Sequence, residues 1–131
     1  MAWKTSDDYR EQIDIQLSNG LWLLGLDSSI GKTALAKELR TLHDSWHEPV
    51  NSISGTDAWN NVDIHYLIPD NCRVFMFDDY DMYNGKFEKE IKQLSQTSIV
   101  LMDCKMGANI DIPRGTAILI MDKSVITVIE R

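Results

Sequence analysis

The chain has 131 residues, 44% of them apolar and 25% charged, with a net charge of −7. That length allows one globular domain with a core, read here as a single unit over residues 1–131, and the charge has the wrong sign for non-specific binding to nucleic acid. The longest apolar stretches, such as Leu21–Leu24 and Ile99–Met102, are strand-sized and far too short for a bilayer. The first residues, Met-Ala-Trp-Lys-Thr-Ser-Asp-Asp, are too polar for a signal peptide. Cys72 and Cys104 have no metal-like spacing, so the expectation is a cytoplasmic protein with reduced thiols and no membrane partner.

In chain order, residues 6–18 favour a helix. Thr5 or Ser6 can cap it, Asp7 and Asp8 suit its positive end, and Tyr9, Ile13 and Leu17 recur every fourth residue before the Asn19-Gly20 stop. Ile13, Ile15 and Leu17 also alternate, so a strand leading into a hairpin at Asn19-Gly20 competes with that reading. Residues 21–26 form a first buried strand. Residues 32–45 form a helix with Leu35, Leu39 and Leu42 on one face. Pro49–Ser54 is a second strand, and Thr56 can cap a helix running towards Tyr66-Leu67. Residues 73–79 form a third strand, apolar in the middle and ended by acids. Residues 85–94 form an exposed helix whose inner stripe is Phe87, Ile91 and Leu94. Ser98–Met102 is a fourth strand, Met106–Gly115 a loop, and residues 117–121 and 125–129 a hairpin around Asp122-Lys123-Ser124. Strands apolar on both faces, alternating with helices, imply a parallel sheet covered on both sides.

Two segments carry chemistry. Leu21–Leu26 meets the short turn Asp27-Ser28-Ser29-Ile30, which ends in Gly31-Lys32-Thr33 at the start of a helix. That is the layout of a phosphate-binding loop: backbone amides of Ser28, Ser29, Ile30, Gly31, Lys32, Thr33 and Ala34 face an anion. Lys32 adds a positive charge, and the Thr33 hydroxyl can ligate Mg²⁺. Leu26 stands where the full pattern has its first glycine, with Gly25 one residue early, so binding is the firmer expectation and hydrolysis the weaker one. The second segment is Val74-Phe75-Met76-Phe77-Asp78-Asp79. Its first acid suits a bridging metal ion, and Asp79 suits a general base that positions water. Asp103 ends the following strand, where a carboxylate near phosphate needs Mg²⁺ or a lysine to screen it; Lys105 and Arg114 are its candidate cationic partners.

This order of elements, with Gly31-Lys32-Thr33 and Phe77-Asp78-Asp79 as its anchors, resembles the P-loop NTPases over about residues 6–121. It looks most like the division that includes AAA-type ATPases. The resemblance implies an α/β, three-layer P-loop NTPase fold: a mainly parallel five-stranded sheet in the order 5-1-4-3-2, helices on both faces and a C-terminal hairpin strand. It implies ATP or GTP at the loop and Mg²⁺ between Thr33 and Asp78. The activity expected is a weak or partner-dependent Mg-ATPase, with Lys32 and Asp79 catalytic and a protein partner or a homo-oligomer completing the site. The alternative is an inactive interaction or regulatory module on the same fold. A small-molecule phosphotransferase ranks last, because no arginine-rich lid segment is present. His43, His47 and His65 lack ligand spacing, and Trp3, Trp22, Trp46 and Trp59 read as packing residues.

Overall fold

The computed structural model describes residues 2–6, 11–25, 29–45, 48–69, 71–104 and 110–131, together with the backbone but not the side chains of Ser29 and Ile30. Gln12–Gln16 is a strand, not part of a helix. Ile13 and Ile15 point into the core while their neighbours face outward, and alternation wins over the fourfold spacing. We number the strands in chain order: β1 Trp3–Lys4, β2 Gln12–Gln16, β3 Gly20–Leu24, β4 Val50–Ile53, β5 Val74–Phe77, β6 Ile99–Met102, β7 Arg114–Asp122 and β8 Val125–Glu130. The α-helices are α1 Ser29–Asp44, α2 Gly55–Trp59 and α3 Glu88–Thr97, with 3₁₀ turns at Ile64–Tyr66 and Tyr80–Met82.

All eight strands join one mixed sheet in the order β1-β2-β8-β7-β3-β6-β5-β4. Strands β7, β3, β6, β5 and β4 run parallel to one another. Strands β7 and β8 are antiparallel, as are β1 and β2, while β2 lies parallel to β8. The expected mainly parallel, five-stranded, three-layer P-loop fold is therefore corrected. Among the described residues the sheet has eight strands and mixed directions, and helices are few. The physical reason is the N-terminal segment. Instead of covering a face as a helix, it adds β1 and β2 to the edge that β8 would otherwise leave unpaired. Asn19-Gly20 makes no hairpin either, because β8 and β7 lie between β2 and β3.

Helix α1 follows the expected leucine stripe: Leu35, Leu39 and Leu42 are buried with Trp22, Leu24, Met76, Leu101 and Ile126 in one core. Helix α2 begins earlier and ends sooner than expected. Ser54, not Thr56, is its cap, in a reciprocal capping box with Asp57, and the helix stops at Trp59. Ile91 of α3 joins Phe75, Phe77, Tyr83 and Val100 in a second core on the opposite face. Successive residues of β3 divide between the two, Leu21 to the second and Trp22 and Leu24 to the first. Gly115, in register with Trp22, carries no side chain because a Cβ there would lie 2.5 Å from the indole ring. The β7–β8 hairpin turns at Lys123-Ser124, with Lys123 at φ 55°.

Candidate functional site

Register alone begins to assemble the site. Phe77 of β5 pairs with Met102 of β6, so the residues that follow each strand, Asp78 and Asp103, emerge side by side. The ladder continues past the strand ends: the Asp103 amide donates to the Phe77 carbonyl at 3.0 Å, and the Asp78 amide to the Ile53 carbonyl at 2.8 Å. Asp79 then takes a left-handed conformation, φ 52°, which turns the chain into the 3₁₀ segment. The Tyr80 amide donates to the Asp103 carbonyl at 2.9 Å and ties the turn to β6. As a result, carboxylate oxygens of Asp78, Asp79 and Asp103 all lie within 4.8 Å of one another.

Lys32 comes to this cluster from the first turns of α1. Gly31 lets the helix approach β7 closely, since a Cβ there would lie 2.3 Å from Leu119 Cδ2. The Lys32 ammonium donates to Asp103 Oδ1 at 3.0 Å, with side chains only 6% and 11% exposed. Seventy-one residues separate the partners in sequence. Burial strengthens their attraction, but removing either one leaves a charge that water cannot reach.

Three carboxylates around one ammonium leave negative charge uncompensated. Asp78 registers this. Its burial, the nearby Asp79 and Asp103 charges and a hydrogen bond with the Asp103 carboxyl raise its pKa from 3.8 to about 6. A hard divalent cation takes oxygen ligands and supplies the missing charge, so the cluster fits Mg²⁺ chemically, with Asp78, Asp79 and Asp103 as the ligands.

The candidates read from the sequence fare differently. Asp78, Asp79, Lys32 and Asp103 are brought together. Thr33 is exposed at the start of α1, and Ala34 is partly buried against the first core. Leu26, Ser28 and Lys105 lie outside the described residues, as do the side chains of Ser29 and Ile30. The cation that meets Asp103 is Lys32, not Arg114, whose guanidinium donates to the Ile110 carbonyl at 2.8 Å. Among the described residues, no histidine joins the carboxylates. The Cys104 thiol donates to Asp81 at 3.3 Å, and burial pushes the Cys72 thiol far up, which leaves it inert. No helix among the described residues is long and apolar enough to cross a membrane.

No protein family, curated protein or solved structure matches this chain.

Proposed function

We propose that this chain binds a nucleoside triphosphate, ATP or GTP, together with Mg²⁺, and hydrolyses it slowly. The observation that supports the reading is the meeting of Lys32 with Asp78, Asp79 and Asp103 where β5, β6 and the start of α1 converge. Parallel strands gather their C-terminal ends on one side, and ligands of open α/β sheets bind in the crevice outside those ends. Mg²⁺, when bound, would neutralise phosphate charge. Lys32 exchanges the Asp103 carboxylate for a phosphate oxygen and keeps a charged partner throughout. Asp78 and Asp103 would hold the cation. Asp79, exposed at the rim, accepts a hydrogen bond from the attacking water.

Calorimetry of ATP and GTP binding, with and without Mg²⁺, tests the reading. Saturable heat that needs Mg²⁺ and disappears in Lys32→Ala is expected; no heat with either nucleotide at millimolar concentration overturns it.

One observation favours a second reading, a non-catalytic interaction or regulatory module. Lys32 is already satisfied by Asp103 at 3.0 Å, in a pair that serves the fold without any ligand. On that reading Lys32→Ala lowers stability and changes no nucleotide signal.

A further inference from the structure

A cavity of about 530 Å³ lies at the N-terminal ends of β5 and β6, the opposite end of these strands from the carboxylates. Its volume is that of a small-molecule site. Ile68, Pro69 and Leu94 give it an apolar wall. Among the described residues that line it, Arg73 is the sole charge, exposed and without an ion pair among them. The backbone of Arg73 is held from both sides. Its amide donates to the Pro49 carbonyl at 2.7 Å, and its carbonyl accepts from the Ile99 amide at 2.8 Å. Beside it the Ser98 hydroxyl donates to the Cys72 carbonyl and ties β5 to β6. Asn71, at φ 56°, turns the chain towards β5. The exposed Asn71 amide and Thr97 hydroxyl also border the cavity and make no hydrogen bond among the described residues.

A guanidinium, an amide and a hydroxyl are donors for an oxyanion, and the apolar wall suits an apolar body behind it. The charge of that anion is bounded. The last turn of α3 ends on the cavity at Leu94 and Thr97, and a helix C-terminus carries about half a negative charge. One guanidinium beside that end compensates a single negative charge, a carboxylate, and not a phosphate dianion. We infer that this cavity binds a small monocarboxylate with an apolar body. Five residues of extended chain, about 16 Å, lead from Arg73 to Asp78, so the site stands apart from the nucleotide reading and does not depend on it.

The test titrates the isotope-labelled full chain and follows the backbone amide resonances of Cys72, Arg73 and Thr97. The probe is hexanoate. The controls are hexanol, which keeps the body and lacks the charge, acetate, which keeps the charge and lacks the body, and inorganic phosphate. Hexanoate is expected to shift these resonances saturably and to bind about tenfold more tightly than hexanol, the scale of one charge-assisted hydrogen bond. Acetate should bind at least about tenfold more weakly than hexanoate, and phosphate more weakly too. Arg73→Gln, a change at an exposed position, should bring hexanoate down to the affinity of hexanol and leave the circular dichroism spectrum unchanged. Asp70, near Arg73 in sequence, lies outside the described residues; Asp70→Asn should leave hexanoate affinity within about threefold of the natural chain. A larger gain in that variant assigns Arg73 to Asp70 and overturns the inference. Equal binding of hexanoate and hexanol overturns it, as do tighter binding of phosphate and no shift at millimolar hexanoate. Resonances that move with protein concentration alone, with a dimer in sedimentation, give the cavity to a second copy and overturn it as well.

Discussion

Strands β7, β3, β6, β5 and β4 run in one direction, whereas β1, β2 and β8 mix directions along the other flank of the same sheet. In the parallel region β4, β5 and β6 are buried along their whole length, and Lys32, Asp78, Asp79 and Asp103 collect beyond the β5 and β6 ends. In the mixed flank, buried and outward residues alternate, Ile13 and Ile15 in β2 and Ile126 and Val128 in β8, and among the described residues no comparable group of carboxylates gathers there. Shared direction explains the contrast. Parallel strands bring every polar strand end to one edge, where unlike segments of sequence are forced into contact, while opposed strands divide their ends between two edges. Charge buried at one edge is costly to hold without a ligand: burial first, and the Asp79 and Asp103 charges after it, raise the Asp78 pKa.

The largest expected effect tests whether the charged edge is also a structural pin. Lys32→Ala leaves the Asp103 carboxylate buried and unpaired, at a cost of about 3 kcal/mol in urea unfolding. Adding Asp103→Ala should recover part of that loss, because the second change removes the orphaned charge. A double variant as unstable as the sum of the two singles would break the claim that they form one unit.

Next comes the pairing of β7 with β3 inside the parallel region. Gly115→Ala drives a Cβ to 2.5 Å from the Trp22 ring, a rigid group that cannot fold aside, so about 1–3 kcal/mol should be lost. An unchanged thermal midpoint would mean that β7 and β3 slide past each other freely.

A smaller effect has a definite sign. The folded-state pKa of Asp78 lies above its ordinary value of 3.8, so the folded chain binds more protons than the unfolded one between about pH 4 and 6. Ionisation of Asp78 therefore opposes folding as pH rises through about 6. Asp78→Asn should be more stable than the natural chain at pH 7, with the difference shrinking to nothing below pH 4; thermal melts across that range give the answer. Mg²⁺ should raise the melting temperature of the natural chain more at pH 7 than at pH 5, because protons compete for the same carboxylates. Equal shifts at both pH values would separate the cation from this cluster.

The smallest effect serves as the control. Ile120 is 45% exposed in β7, where the hairpin faces solvent, and Ile120→Thr should change stability by less than about 0.5 kcal/mol. A loss comparable to that of Lys32→Ala would erase the contrast between the charged edge and the hairpin.

Much of this was legible in the residues. The Leu35-Leu39-Leu42 stripe gives α1, the apolar runs at 74–77 and 99–102 give β5 and β6, and alternation on either side of Asp122-Lys123-Ser124 gives the hairpin. Asp78 and Asp103 could be read as strand-end acids because each follows an apolar run directly, and Asp79 comes next after Asp78. The segment at 12–16 misled because a fourfold and a twofold repeat fit Ile13 and Leu17 equally well, and only the free edge of β8 selects the strand. Trp59, 69% exposed and not the packing residue expected, misled for a related reason: an aromatic residue near a helix end signals packing unless the helix stops before its partner arrives, and α2 stops at Trp59 itself.

The sequence by itself determined the local periods, the capping chemistry and the acids at the strand ends, since these depend on neighbours within a few residues. Tertiary structure alone decided that β2 pairs with β8, that Gly115 lies beside Trp22, and that Lys32 meets Asp103 rather than leaving Arg114 to do so. Those contacts join residues tens of positions apart. Strand register and the close approach of α1 to β7 create them, and no local pattern encodes either one.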